Sequence, residues 1–328
     1  MSNFCKSLTI VVPTFNHPKY IDYFLEKIGN IDCYDVMLEI HDSSTNDDTE
    51  KIVCEYLKKY KNLVYKKYDD IHVDIKTILA LTSIKTKYVH LCGDGVIPNL
   101  AKIYKACINY IIQDYDIIEI YDSQNKKHIS QYHKNQKQRG KGDIIYSELL
   151  DYVDDNIWHL PYYGGTIIKS DIFSKYNIEN LKDVINSGFV YPYMILKGIP
   201  INFKAVALGD DFLIPNIYKK QSLWISNNKI AILLWAKNFP ETMWKTAKIS
   251  TDKFQGIMIS AEKKLKFLTF KGLLSFRSTD NFNFKIRKQY KYYLKQYGCC
   301  NSIFMFFICL IPKKILCLAK IIKKGIHL

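Results

Sequence analysis

The chain has 328 residues, which is enough for one large domain or two, each with a substantial core. Its 48% hydrophobic and 24% charged residues exclude a disordered protein, and nine scattered cysteines without a C-x-x-C pair argue against a zinc ribbon or a disulfide framework. The net charge of +15 is uneven, because residues 281–328 contain ten Lys or Arg and no Asp or Glu, which leaves +5 for the rest. With three arginines in the chain, the composition does not favour a nucleic-acid interface.

Short apolar runs alternate with amphipathic segments through the first half of the chain. Strands are predicted at 8–12, 36–41, 63–66, 88–91 and 117–121, and helices at 18–29, 50–60, 74–84 and 100–112. Ser44 or Thr45 is the expected N-cap of the second helix. This alternation predicts βαβ units and a mainly parallel sheet flanked by helices.

The second half is less regular. Residues 122–142 are polar and are predicted as a long loop, with a lid over a ligand site as the functional alternative. Strands are then predicted at 164–168 and 201–208, a helix at 191–196, and helices beyond 225. The first six residues lead directly into a strand without a secretory signal, which favours a cytoplasmic location.

Polar turns follow the first two predicted strands. The segment Leu8–Asn16 ends in Pro13-Thr14-Phe15-Asn16, and the segment Leu38–Thr49 ends in an acidic, hydroxyl-rich turn that begins at Asp42. Open α/β sheets bind their ligands at this end of the strands. Together the two segments resemble the N-terminus of family 2 glycosyltransferases, which begins with a V-x-I-P-T-Y/F-N strand and a D-D-G-S-T-D-x-T turn. The resemblance covers about residues 5–210.

The resemblance implies a fold, a reaction and a set of partners. The fold is an α/β, GT-A-like nucleotide-binding sheet in residues 1–215, followed by a helical C-terminal region in residues 216–328. The reaction is transfer of a sugar, with inversion, from a nucleotide-sugar donor that we expect to be UDP-linked. The acceptor is a lipopolysaccharide, a capsule or a lipid-linked glycan.

The resemblance also assigns residues to the nucleotide. Asp42 is expected to accept the uracil imide N–H, since it takes the place of the second aspartate of the family's turn. Pro13, Thr14, Phe15 and Asn16 would shape the nucleoside pocket, and Lys76 falls about where the family carries an Arg-Asn pair. The alternatives are that Asp42 caps the next helix, that the first segment is a plain strand-ending turn, and that Lys76 is solvated on a helix surface.

The family holds a divalent metal with a D-x-D turn after the fourth strand, and this chain departs from that pattern. The turn is Leu91-Cys92-Gly93-Asp94-Gly95, with a single carboxylate. By resemblance, Gly93 and Asp94 would contact the diphosphate and Asp94 would hold Mn²⁺ or Mg²⁺. Because of this departure, two alternatives stay open. The enzyme depends only weakly on a metal, or the protein is a degenerate GT-A-fold protein that binds a nucleotide or glycan without turnover.

An inverting transfer needs a carboxylate that takes the proton of the acceptor hydroxyl. The Glu-Asp pair of the family is missing near residues 186–191. Asp183 is the first candidate and Asp155 the second, with a solvated surface acid as the alternative for each. The cluster Trp158, His159 and Tyr162–Gly165 is predicted either to stack on a sugar or to belong to the core.

The tail combines apolar and basic residues. Its apolar run stops at Pro312 after about ten residues, half of what a spanning helix needs. Residues from about 284 to 328 are therefore predicted to form short amphipathic helices that dock the protein on the cytoplasmic face of a membrane. A dimer or domain-packing helix, and a polybasic arm for nucleic acid, are the alternatives.

Overall fold

The computed structural model describes residues 7–34, 36–122, 143–200, 202–218, 230–298 and 300–317. Contacts divide these into two units, one with residues 7–152, 159–186 and 190–218, the other with residues 153–158, 187–189 and 230 onward. The loop or lid predicted after Asp122 and the end of the tail, residues 318–328, lie outside the described residues. The division into domains near residue 215 stays a prediction.

One sheet organises the first unit. Its strands are β1 (Leu8–Thr14), β2 (Met37–Asp42), β3 (Leu63–Lys67), β4 (Tyr88–Leu91), β5 (Val96–Pro98), β6 (Ile117–Asp122), β7 (Ile144–Tyr146), β8 (Thr166–Lys169) and β9 (Ala205–Pro215). Their order is β3-β2-β1-β4-β8-β6-β9-β5, and β7 also pairs with β9. The first five predicted strands are present, with ends that differ by two residues at most.

The sheet is mixed: β1 to β4 pair in parallel, as predicted from the first half of the chain, and antiparallel pairs occur among the remaining strands. β1–β2, β2–β3, β1–β4 and β6–β9 pair in parallel. β8 enters between β4 and β6 in the antiparallel direction, and β5 and β7 pair antiparallel with β9. The three-residue strands β5 and β7 are too short for a periodic signal, and the direction of β8 depends on long-range pairing.

Helices flank the sheet and continue into the second unit. They are α1 (Pro18–Lys27), α2 (Asp48–Leu57), α3 (Val73–Thr82), α4 (Leu100–Ile112), α5 (Leu149–Asn156), α6 (Asp171–Ser174), α7 (Val190–Gly198), α8 (Phe239–Trp244), α9 (Thr251–Leu265), α10 (Phe270–Ser278), α11 (Phe284–Gln289), α12 (Lys291–Tyr297) and α13 (Ser302–Leu310), with a π-helical segment at Leu233–Asn238. Pro18 opens α1, where its missing N–H costs nothing.

The start of α2 differs from the prediction. Its N-cap residue is Asp47, and the helix begins at Asp48. Ser44 and Thr45 are not its caps, because the Ser44 hydroxyl donates to Asp42 and the Thr45 N–H donates to Asn16. The hydroxyl-rich turn is therefore bonded toward the ends of β1 and β2.

Both faces of the sheet centre are covered. Every residue of β1 is buried, as expected for a central parallel strand between two helical layers. Polar groups of β1 can therefore meet a ligand only at the ends of the strand. The second unit has its own apolar core, which includes Leu273, Phe276, Phe282 and Ile308. None of the helices in the described ranges is both long and apolar enough to cross a bilayer.

Candidate functional site

Three neighbouring strands bring the predicted nucleotide-binding residues to one edge of the sheet. Thr14 at the end of β1 pairs with Asp42 at the end of β2. β4 lies on the other side of β1 and is followed by the turn that carries Asp94. The carboxyl ends of these parallel strands meet because β1 lies between β2 and β4.

Asp94 is bonded to the loop after β1. Its Oδ2 accepts a hydrogen bond from Thr14 Oγ1 at 2.9 Å and lies 2.9 Å from His17 Nδ1. The His17 ring stacks on Tyr20, with 4.6 Å between the ring centroids. The hydrogen bond to Asp94 raises the pKa of His17 above its usual value. Thr14 and His17 thus hold one oxygen of the single remaining carboxylate.

Asn16 joins the turns after β1 and β2. Its Oδ1 accepts the N–H of Thr45 at 3.0 Å, and its own N–H donates to Ser44 Oγ at 2.7 Å. Its φ of 53° lies in the left-handed region, which asparagine tolerates better than most residues. Next to it, Phe15 is 44% exposed, whereas Pro13 is buried in β1. Phe15 is therefore available to a ligand and Pro13 is part of the core.

Asp42 is buried and does not cap α2. One of its oxygens accepts the Ser44 N–H at 2.8 Å and the Ser44 hydroxyl, and the other accepts the Tyr65 hydroxyl at 2.8 Å. Since a carboxylate has about four acceptor positions, these donors leave about one for a ligand. Base recognition by Asp42 would have to share this carboxylate with Tyr65.

Lys76 lies on α3 beneath the same turns. It is 3% exposed, so the alternative of a solvated lysine does not hold. Its Nζ donates to the Thr14 carbonyl at 2.6 Å and to Ser43 Oγ at 2.7 Å. Burial lowers its pKa to about 8, while the negative charges of Asp42 and Asp94 act in the opposite direction. The lysine therefore places a positive charge under the turns that follow β1 and β2.

The residues near Asp94 do not fit a metal held by the protein. Cys92 is buried, and its Sγ points to the carbonyl of Val96 at 3.4 Å. One oxygen of Asp94 already takes two donors, and Lys76 adds a nearby positive charge. In the described part of the chain, no three His, Cys, Asp or Glu side chains form a group that could bind an ion. A hard cation prefers several oxygen ligands, which this set does not supply.

A cleft of about 680 Å³ opens beside Asp42, at the ends of β2 and β3. This volume is in the range of small-molecule sites. It is lined by Ser44, Thr45, Lys67, Tyr68, Asp69, Asp70, Ile71 and Leu79. His41 holds Tyr68 in place, since its Nδ1 lies 2.8 Å from the Tyr68 hydroxyl and the two rings stack at 5.7 Å. The cleft thus presents an aromatic ring and polar groups to a ligand.

Most of the glycine-bearing aromatic cluster belongs to the interior of the first unit. His159 is 1% exposed, and its Nδ1 lies 2.8 Å from Glu119, which also accepts the Tyr152 hydroxyl. A Cβ on Gly165 would lie 2.6 Å from His159 Cε1, so only glycine fits there. Trp158 belongs to the second unit, where its indole N–H donates to the Asp155 carbonyl. His159 is therefore part of a buried polar network.

The two candidate bases lie in different units. Asp183 is exposed in the first unit, where its negative charge contributes to a raised pKa of Tyr193. Asp155 belongs to the second unit, and Lys264 Nζ lies 3.9 Å from its carboxylate. Asp155 therefore has an ammonium next to it, whereas Asp183 is open to solvent.

Three contributors to the site were not predicted. His17 follows the first motif directly and could have been included on that ground. Tyr65 belongs to β3 and reaches Asp42 only because β2 and β3 pair. Asn216 follows β9, and its Nδ2 donates to the carbonyls of Tyr20 and Asp94 at 2.9 and 3.0 Å. No local pattern indicates the role of Asn216, because its partners are almost 200 and more than 120 residues away.

No family model and no curated protein sequence matches the chain. Solved structures do match it. The crystal structure of S. aureus TarS 1-349 aligns with 89% of this chain and 89% of its own, with a TM-score of 0.50 and 14% identity. The mannosyltransferase PcManGT from Pyrobaculum calidifontis, in complex with GDP-Man and Mn²⁺, aligns with 92% of this chain and 86% of its own, with a TM-score of 0.50 and 12% identity.

The chain has a GT-A-like fold. At these identities the likeness concerns the fold alone. It confirms the fold class predicted from the motifs at Leu8–Asn16 and Asp42: a sheet flanked by helices, followed by a helical C-terminal region. The polar edge formed by β1, β2 and β4 is the part of this fold that carries the candidate site.

Proposed function

We propose that this protein is an inverting glycosyltransferase. It takes a sugar from a nucleotide-sugar donor, which we propose to be UDP-linked, and transfers the sugar to a surface glycan or its lipid-linked precursor. It would be a hexosyl- or N-acetylhexosaminyl-transferase acting at the cytoplasmic face of a membrane. The GT-A-like fold supports sugar transfer, and PcManGT with the same fold is a mannosyltransferase seen with GDP-Man. The arrangement at the polar edge supports the donor class.

One observation carries the donor proposal. The turns after β1, β2 and β4 are tied together by Thr14–Asp94, Asn16–Ser44 and Lys76–Ser43 contacts. Binding a nucleotide needs a base pocket and a place for charged phosphates in one connected surface. The cleft beside Asp42 offers the first, and the buried ammonium of Lys76 offers positive charge for the second.

The proposed reaction is a simple displacement. The acceptor oxygen would form its bond to the anomeric carbon as the bond from that carbon to the diphosphate oxygen breaks, so the nucleoside diphosphate leaves with the electron pair. The acceptor proton would pass to a carboxylate. We propose Asp183 for this role over Asp155, because Asp183 is solvent-exposed and Asp155 lies beside Lys264.

Calorimetric titration with UDP, GDP and CMP, each with and without Mn²⁺, tests the donor proposal. We expect UDP to bind most tightly and UDP-sugars to release UDP on incubation with the protein. Asp42→Asn should weaken binding, whereas Glu55→Gln, which changes an exposed carboxylate paired with Lys58, should not. Binding without release would point to a degenerate binding protein. Absence of binding to every nucleotide would overturn the proposal.

An apolar patch on the second unit supports membrane docking. It consists of side chains between 43% and 63% exposed: Phe270, Phe284, Ile303, Phe304, Phe306, Phe307, Leu310 and Ile315. Helix α13 is apolar on both sides, since Met305, Ile308 and Cys309 pack into the second core. The outward side chains contact one another, as in the Phe270–Phe304 and Phe284–Phe306 ring pairs.

We propose that an anionic lipid surface covers this apolar patch. Positive side chains border it: the Arg287 guanidinium lies 5.7 Å from the Phe306 ring, and Lys313 and Lys314 are exposed beside Ile315. No acidic residue occurs from 281 to the C-terminus. Apolar rings that enter the acyl region, together with lysines at the headgroups, are the features of an interfacial segment.

Vesicle flotation tests this docking. The full chain should float with phosphatidylglycerol vesicles and less with phosphatidylcholine vesicles, and a Phe304→Ser, Phe307→Ser double variant should stay in solution. Ile112→Ser, which removes a 72% exposed apolar residue from α4, is the matched control and should float normally. A concentration-dependent dimer without vesicle binding would assign the patch to a second copy. Salt-sensitive binding to duplex DNA instead would favour the nucleic-acid alternative.

A further inference from the structure

Lys76 occupies an unusual position for a lysine. Its side chain is almost completely buried, and its ammonium donates to two neutral oxygens, the Thr14 carbonyl and Ser43 Oγ. None of the described carboxylates forms an ion pair with it within 4.0 Å. A buried ammonium without an ion-pair partner is costly, which makes it a candidate for binding a negatively charged ligand.

The location of this ammonium indicates which ligand it would bind. Its two acceptors belong to the loops that follow β1 and β2, and Asp42 and Asp94 are both close enough to act on its charge. A low-dielectric site strengthens the attraction between a fixed ammonium and an arriving anion. The anion would therefore lie above the turns that follow β1 and β2, over the Lys76 ammonium.

His17 is a second basic group at the same place. Its Nδ1 lies against Asp94, its ring stacks on Tyr20, and its side chain is 49% exposed. None of the described residues hydrogen-bonds its Nε2. The ring is thus held on one edge and open to a ligand on the other, directly beside the carboxylate that would have to hold a metal.

We propose that the Lys76 ammonium, together with the open Nε2 edge of His17 as a hydrogen-bonding group, holds the diphosphate, so that this protein binds a nucleoside diphosphate without a divalent metal. The inference rests on the proposed function and deepens it. It follows from the residues available to bind a metal. Cys92 faces the core, and Asp94 already accepts from Thr14 and contacts His17. The ammonium of Lys76 lies beneath the same turns. The PcManGT structure contains Mn²⁺ with its GDP-Man, so the two proteins would differ in this respect.

The test is calorimetric titration of the full chain with UDP, once with EDTA and once with Mn²⁺. We expect the wild-type Kd to be nearly the same in both. With EDTA, Lys76→Met and His17→Gln should each weaken binding by about tenfold or more, the loss of one charge-assisted contact. Lys102→Met removes a half-exposed lysine of α4 with the same change in net charge and should bind as the wild type does.

Thermal unfolding separates a role in binding from a role in folding. Lys76→Met removes the cost of burying a charge, so its melting temperature should not fall, whereas a merely structural lysine would leave a less stable protein. If this variant does not fold, His17→Gln still tests the inference, because His17 is half exposed.

The failures of the two proposals are distinguishable. UDP binding that requires Mn²⁺ would overturn the metal-free inference and leave the donor proposal standing. Unchanged UDP affinity in both Lys76→Met and His17→Gln would also overturn the inference. Absence of nucleotide binding under every condition would overturn the proposed function itself.

Discussion

The polar edge of the first unit and the apolar patch of the second unit differ in how their surface side chains are held. At the polar edge, Asp94, Asn16 and Lys76 are hydrogen-bonded to neighbouring loops, and Asp42 is bonded to its own turn and to Tyr65. The groups offered to a ligand are therefore already held in place. At the apolar patch, large side chains lie exposed with no described segment over them. The first arrangement is typical of a pre-formed small-molecule site, and the second of a surface that meets a partner.

The largest expected effect is on the rate of UDP release, and it distinguishes the candidate base of the first unit from that of the second. Asp183→Asn should slow UDP release from a UDP-sugar by about 10²–10⁴-fold, because a general base is lost while donor binding is kept. Asp155→Asn, in the second unit, should change the rate little. Glu179→Gln is the control, since Glu179 is an exposed acid on the neighbouring turn. The reverse result for Asp183 and Asp155 would move the chemistry to the second unit.

A smaller effect compares the two sides of helix α13. Ile308→Ala should lower the free energy of unfolding by about 3 kcal/mol, because Ile308 is fully buried in the second core. Phe304→Ala on the outward side should change it by less than about 0.5 kcal/mol, as surface substitutions do. Urea denaturation of both variants measures the difference. A large loss for Phe304→Ala would mean that the apolar patch is needed for folding rather than for docking.

A third prediction concerns the interior of the second unit. Glu262 is buried near the end of α9 and accepts the N–H of Leu268, and burial raises its pKa to about 8. Since the unfolded value is 4.5, the unfolded chain loses this proton first, and stability falls as pH rises from about 4.5 to 8.

Glu262→Gln should remove this pH dependence. The amide oxygen can still accept the Leu268 N–H, so we expect a gain of a few kcal/mol at pH 8 that vanishes below pH 4.5. Denaturation curves across this range, with exposed Glu55→Gln as control, provide the measurement. An equal gain at pH 4 and pH 8 would show that the effect is unrelated to ionisation.

The smallest expected effect is at the polar edge. Tyr65→Phe removes one donor from Asp42 and should cost about 1 kcal/mol of stability. If Asp42 reads the base, the freed oxygen should leave UDP affinity unchanged or improve it, whereas Asp42→Asn should weaken it. Tyr56→Phe, which loses a comparable bond to Asp22 away from the cleft, is the matched control. A tenfold loss of UDP affinity in Tyr65→Phe would mean that Tyr65 itself contacts the nucleotide.

Much of the fold was predictable because its strongest signals are local. The β-branched run at Leu8–Val12 and the helix opened by Pro18 follow from neighbouring residues, and the bounds of β4 and α4 agree with the structure to the residue. The antiparallel β8 and the three-residue strands β5 and β7 were not predictable in this way. Their direction and existence depend on pairing with β4, β6 and β9, which are distant in sequence.

The candidate site also has features set by neighbouring residues and features set by long-range contacts. The sequence by itself determined that polar turns follow buried strands and that a basic, apolar tail ends the chain, because composition and periodicity are properties of neighbouring residues. Only the tertiary structure decided that Lys76 is buried beneath Thr14 and Ser43 and that Asn216 reaches the Asp94 turn. The reason is physical: burial and long-range hydrogen bonds depend on which strands become neighbours, and no short segment specifies that.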